Sequence, residues 1–133
     1  KVAARLKRIR GQVLRNRVGL DETRARQVER VLDRYRPGRQ ALHKQMHASR
    51  QAIGRLLAAD SNDQNAYRRE IATMRGAQRR LHALREQEIN EVSRLLTPRQ
   101  QARLAVALRH MHRQMHRAMK QYRGHHHGGG GRR

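Results

Sequence analysis

Apolar residues recur every three or four positions along four separate stretches of this chain, and this helical spacing constrains the fold more than any other feature. The first stretch runs through Val2, Leu6, Ile9 and Val13. The other three cover residues 21–59, 63–95 and 98–122. Strict alternation of apolar and polar residues, which would indicate strands, is absent, and the chain has no Phe or Trp. We therefore predict an all-α fold of four helices with narrow aliphatic seams.

A polar turn at residues 60–63, Asp-Ser-Asn-Asp, separates the two longest stretches. Helices two and three should therefore form an antiparallel hairpin over residues 21–96, with arms roughly 50 Å long. Pro37 and Gly38 interrupt the first arm, but its apolar line resumes in phase at Leu42, which favours a kink over a break.

Two helix starts are marked by capping residues. Asp21 can cap the second helix. Thr97 can cap the fourth, with Pro98 at the first helical position and Gln100 completing a capping box. We predict one helical domain over residues 1–122. The remaining His/Gly/Arg tail, residues 123–133, is predicted to be disordered because it has no apolar residue.

The charge is strongly positive, with 32 Lys and Arg against 10 Asp and Glu, and no acidic residue follows Glu91. Such a field attracts polyanions, anionic membrane surfaces and unfolded or acidic proteins. Nucleic acid is the least favoured of these partners, since the chain has no helix-turn-helix, zinc finger or set of stacking aromatics. The arginines that we expect to contact a client protein or polyanion are Arg36, Arg39, Arg50, Arg55, Arg109, Arg113 and Arg117.

No catalytic pattern is present in the sequence. The chain has no Cys, which excludes disulfides and thiolate metal sites. Its serines lie in no His/Asp pattern, and there is no His-Glu-x-x-His sequence or phosphate-binding glycine loop. We predict that the protein is not an enzyme.

Two motifs carry a family resemblance. Residues 96–100, Leu-Thr-Pro-Arg-Gln, match the pattern Leu-Thr-x-x-Gln, and residues 20–24, Leu-Asp-Glu-Thr-Arg, match it except at Asp21 and Arg24. Two such starts beside a long hairpin resemble, over residues 12–122, the bacterial periplasmic family that includes the Spy and CpxP stress proteins and the heavy-metal resistance sensors.

The resemblance implies a four-helix, homodimeric protein of the periplasm. Its members act either as metal-binding sensors and buffers or as ATP-independent chaperones. The chain begins with Lys1 rather than Met, and we expect that a leader peptide was removed or lies outside this sequence.

Paired histidines are the candidate metal ligands. Two clusters share the pattern His-x-x-Met-His, and in each the histidines lie four residues apart on one helical face. If the hairpin returns the chain to its start, helix four runs parallel to helix two and the two pairs lie within one or two turns of each other. Imidazole and thioether ligands suit Zn, Ni, Co or Cu, although such a pair can also be a plain solvated face. The candidate ligands are His43, Met46, His47, His112, Met115 and His116, with His125, His126 and His127 as a looser site in the tail.

Three functions follow in order of preference. The first is a protein that binds divalent metal ions and buffers or senses them. The second is a chaperone that holds unfolded clients on a basic helical cradle, and the third is a helical protein that binds nucleic acid or other polyanions.

Overall fold

The protein is described by a computed structural model that covers the backbone of residues 2–126 and the side chains of all these except 115, 118, 119 and 121–126. Over this range the chain forms four helices joined by short turns and no strand, which confirms the predicted all-α fold of four helices. In chain order they are α1 (Val2–Asn16), α2 (Glu22–Ala58), α3 (Gln64–Arg94) and α4 (Pro98–His126).

The helices divide into two compact units. The first unit is made from Lys1–Ala25 and Leu96–Arg133, and the second from Arg26–Leu95. Each has a thin core, and Val18 and Val28 are the largest side chains that are fully buried. This follows from a composition without Phe or Trp, since small aliphatic side chains fill only a narrow seam. A single domain over residues 1–122 stays a prediction.

The second unit is the predicted antiparallel hairpin of α2 and α3. Arg34 pairs with Glu91, 57 residues away, and Arg39 pairs with Glu88, 49 residues away. A sequence separation that falls as the chain advances along α2 is the mark of antiparallel arms. The polar turn joins the arms as expected: the Asp63 carboxylate accepts a hydrogen bond from the Ala66 N–H at 3.1 Å and caps α3.

Apolar contacts hold the middle of the hairpin together. Met46 is 6% exposed and packs with Ala77 and Leu81, and Leu42 packs against this cluster. Met46 follows Leu42 by four residues and Leu81 follows Ala77 by four, so each helix contributes one stripe of side chains. We call this line of apolar contacts between the two arms the seam of the hairpin.

Helix α2 continues through Pro37, so the proline does not break it. Pro37 is exposed. A Cβ atom at the next residue, Gly38, would lie 3.1 Å from Leu84 Cδ2. Glycine therefore permits the close approach of the two arms at this point.

The capping box of α4 forms as predicted. The Thr97 N–H donates to Gln100 Oε1 at 3.0 Å, and the Gln100 N–H donates to Thr97 Oγ1 at 3.2 Å. At α2 the Asp21 carboxylate accepts a hydrogen bond from the Arg24 N–H at 2.7 Å. Leu20 and Leu96, which precede the two caps, are both buried. Each motif thus joins an apolar anchor to a helix cap.

Helix α4 is longer than predicted. It passes through Gly124 and ends at His126, whereas the apolar pattern indicated an end at residue 122. A glycine costs only about 1 kcal/mol relative to alanine inside a helix, so it need not end one of this length. The rest of the tail predicted to be disordered, residues 127–133, lies outside the described residues.

The turn after α1 requires glycine at position 19. Gly19 has a φ of +79°, and the following Leu20 N–H donates to the Leu14 carbonyl at 3.1 Å. A Cβ atom at Gly19 would also lie 3.1 Å from Arg103 Nη1. Residue 19 therefore carries both a left-handed backbone and a close side-chain neighbour.

We predict that Gly19→Ala lowers the free energy of unfolding by about 1–2 kcal/mol, because an L side chain is strained at this φ. Gly54→Ala is the matched control: Gly54 lies inside α2 with nothing near its Cβ position, so alanine should stabilise by about 0.5–1 kcal/mol. Urea denaturation followed by circular dichroism measures both. Equal effects of the two substitutions would contradict this account of the turn.

Candidate metal site and basic surface

The first histidine pair lies on the outer side of the hairpin seam. His43 and His47 are exposed and one turn apart on α2. Met46, between them in sequence, points into the apolar cluster of the seam. The seam therefore holds the backbone of α2 in place while the two imidazoles on either side of Met46 face solvent.

One cationic side chain lies close to this pair. Arg85 Nη2, on α3, is 3.5 Å from His43 Nε2. A metal ion at that nitrogen would be repelled by the guanidinium, so binding there requires Arg85 to move. Arg85 is exposed, and its long side chain can turn into solvent.

Two of the four acidic residues of α3, Glu88 and Glu91, are already held in ion pairs. Glu88, only 7% exposed, is paired with Arg39. Glu91 accepts a hydrogen bond from Arg34 at 2.7 Å. Partial burial, together with the charge of Glu91 and a hydrogen bond to it, raises the pKa of the Tyr35 phenol. These two carboxylates are therefore poorly suited to complete a metal site with His43 and His47.

The second histidine pair lies on α4, in the first unit. His112 and His116 are exposed and one turn apart. The Met115 side chain, the side chains of His125 and His126, and His127 lie outside the described residues. The predicted approach of the α4 pair to His43 stays a prediction.

No cluster of three or more His, Asp or Glu side chains suited to hold a metal ion occurs within the described part of the chain. Each histidine pair on its own thus provides two imidazole nitrogens. A transition-metal ion with four or more ligands would need further groups to fill its coordination sphere.

The predicted basic surface separates into paired and exposed arginines. Arg36 bonds to Asp33 at 2.9 Å, and Arg39 is held by Glu88. These two charges are neutralised within the hairpin. The other members are exposed: Arg50, Arg55, Arg109, Arg113 and Arg117.

A family model described as heavy-metal resistance matches residues 3–103, well over half of the chain. The chain belongs to the heavy-metal resistance family. The match includes both helix-capping motifs, the whole hairpin and His43 and His47, and it ends before the histidines of α4. No curated protein and no solved structure shows significant similarity to the chain.

Membership of this family confirms the predicted resemblance to the heavy-metal resistance branch. The family's association with heavy metals also agrees with the preferred interpretation of the histidine pairs, without naming a metal or its ligands. Between residues 2 and 126, none of the helices has an apolar segment sufficient to span a bilayer.

The pairing of Arg39 with Glu88 was not predicted. We expect Arg39→Met to destabilise the protein by about 3 kcal/mol, because it leaves the Glu88 carboxylate buried without a partner. The pair of Arg36 and Asp33, which is more exposed than that of Arg39 and Glu88, offers the matched control, where Arg36→Met should cost less than about 1 kcal/mol. Urea denaturation measures both values.

A second substitution separates the cost of an unpaired charge from a loss of packing. Adding Glu88→Leu to Arg39→Met should recover most of the lost stability, because no buried charge then remains. If the double variant is no more stable than Arg39→Met alone, the assigned cause is wrong.

Proposed function

We propose that this member of the heavy-metal resistance family binds divalent transition-metal ions through its exposed histidine pairs and buffers or senses them in the periplasm. The observation that supports this most directly is the His43/His47 pair. It lies within the residues matched to the family, and both imidazoles are exposed beside a packed seam.

Imidazoles four residues apart on a helix can bind one ion together, and their borderline-soft nitrogens suit Zn, Ni, Co or Cu. We propose that Met46 packs in the apolar seam beneath the pair and is not a metal ligand, since its side chain packs with Ala77 and Leu81. When little metal is bound, water molecules fill the coordination positions that the two imidazoles leave open. His112 and His116, or the tail histidines, are the ligands that would tighten the site.

A site of this kind releases its metal readily. Ligand imidazoles must be neutral, so proton binding competes with the metal and affinity falls as the pH drops. The Arg85 charge near His43 adds a repulsive contribution. Both effects suit a buffer or sensor, which must give up metal when the free concentration falls.

Isothermal titration calorimetry with ZnCl₂ or NiCl₂ tests the proposal. Tail binding is first removed with His125→Ala/His126→Ala/His127→Ala, and all further variants are made on that background. We expect binding tighter than about 1 μM. In His43→Ala/His47→Ala and in His112→Ala/His116→Ala this binding should either weaken about tenfold or more or lose one ion per chain. His82→Ala, an exposed histidine of α3, is the control and should change nothing.

The stoichiometry then distinguishes two arrangements. One ion per chain that needs both pairs indicates a joint site. Two ions per chain, reduced to one by either double variant, indicate separate sites. Unchanged affinity and stoichiometry in both double variants would refute metal binding by these histidines.

An ATP-independent chaperone is the second candidate, and exposed apolar side chains favour it. Leu57 and Ile89 on the hairpin are 64% and 52% exposed, and exposed arginines such as Arg55 lie on the same helices. Such a surface can hold an unfolded acidic chain by charge and by apolar contact. A homodimer would enlarge it.

For this second function we predict that the protein suppresses the aggregation of an unfolded client at equimolar concentration, without nucleotide. Leu57→Ser/Ile89→Ser should weaken the suppression severalfold while leaving metal affinity unchanged. Light scattering by a client protein that has been reduced and heated measures the extent of aggregation. Full suppression by the double variant would contradict a role for these apolar side chains.

A further inference from the structure

A solvent-open groove of about 490 Å³ lies within the first unit, between the turn that follows α1 and the first turns of α4. Neither the histidine pairs nor the exposed apolar side chains of the hairpin belong to it. The residues that line it are Arg17, Arg99, Ala102, Arg103, Val106 and Ala107.

The three arginines of the groove have no carboxylate partner among the described residues. Arg15, two positions before Arg17, shows the contrast, because its guanidinium bonds to Glu22 at 2.8 Å. Helix α4 cannot supply a partner, since no acidic residue follows Glu91. Three arginine side chains without a carboxylate partner therefore line one groove, and their positive charge makes a strong local attraction for an anion.

Backbone features hold these arginines in place. The left-handed Gly19 brings its backbone so close to Arg103 that a Cβ atom there would lie 3.1 Å from Nη1. The capping box between Thr97 and Gln100 fixes the first turn of α4, where Arg99 lies. The positive end of this helix adds to the attraction for an anion near Arg99.

The groove also has an apolar wall. Val106 is 72% exposed, an unusual value for a valine, and the exposed Ala102 precedes it by one helical turn. Arg99 and Arg103 are likewise four residues apart on α4. A charged stripe and an apolar stripe thus run side by side along the same helix.

We propose that this groove binds an amphiphilic oxyanion, namely a phosphate or carboxylate group carried on an apolar chain. The guanidinium groups hold the oxyanion by paired N–H donors, and Val106 and Ala102 contact the apolar chain. A groove at the hairpin tip lacks this character, because Glu70 shares its lining with Arg55 and Arg69.

Calorimetric titration of the full chain with octyl phosphate and with inorganic phosphate tests the proposal. An ionic strength of about 0.15 M screens general attraction to the basic surface. We expect octyl phosphate to bind about tenfold or more tightly than inorganic phosphate, because only the former can use the apolar wall. Equal affinity for the two would overturn the proposal.

Two variants test the assigned residues separately. Arg99→Gln/Arg103→Gln should weaken octyl phosphate about tenfold or more, and Val106→Asn should weaken it about fivefold with no effect on inorganic phosphate. Arg30→Gln/Arg80→Gln is the matched control: it removes the same charge from exposed positions of the second unit and should change affinity by less than about twofold. Equal loss in the control and in Arg99→Gln/Arg103→Gln would show that only net charge matters, which overturns the proposal.

The same oxyanion chemistry could come from a free amphiphile or from a lipid headgroup, and sedimentation with phosphatidylglycerol vesicles separates these sources. If Arg99→Gln/Arg103→Gln sediments less than Arg30→Gln/Arg80→Gln, the groove takes a membrane headgroup. If both sediment alike while octyl phosphate still requires Arg99 and Arg103, the ligand is a free amphiphile. Either result supports a groove that recognises the oxyanion.

Discussion

The ion pair between Arg39 and Glu88 is the interaction on which the hairpin depends. The buried Glu88 carboxylate is stable in an interhelical seam only when a cation pairs with it there, so this pair selects one register of α2 on α3. The apolar contacts of Met46 could be made by more than one sliding arrangement of aliphatic side chains. The charged pair cannot slide without leaving Glu88 buried and unpaired, and it is therefore the specific element in an otherwise thin core.

That register decides what the surface can do. It turns Met46 inward and leaves His43 and His47 facing solvent, and it uses Glu88 and Glu91 for structure. A hard, carboxylate-rich cation site is thereby disfavoured on this face of the hairpin, while imidazole nitrogens remain available. Exposed imidazoles are ligands that borderline metal ions prefer, and the chain belongs to the heavy-metal resistance family.

Local signals in the sequence were sufficient to predict the helices and their caps. Asp21, Asp63 and the Thr97–Gln100 box act through neighbours within three residues, so their caps could be predicted without knowing the fold. The Arg39–Glu88 pair spans 49 residues and depends on register, although counting outward from the turn at residues 60–63 would have placed the two within about one helical turn.

The end of α4 was missed because a glycine weakens a helix without ending it. The three arginines of the groove were overlooked because Arg17 and α4 come together only through the turn at Gly19.

The central claim is that exposed imidazoles of this chain bind the metal. X-ray absorption spectroscopy at the zinc edge, on protein loaded with one equivalent of Zn²⁺ and with the three tail histidines replaced by alanine, tests it most directly. We expect at least two nitrogen ligands at about 2.0–2.1 Å with the multiple-scattering pattern of imidazole, lost when His43, His47, His112 and His116 are all replaced by alanine. A spectrum with oxygen ligands alone, or one that this quadruple variant leaves unchanged, would contradict metal binding by these imidazoles.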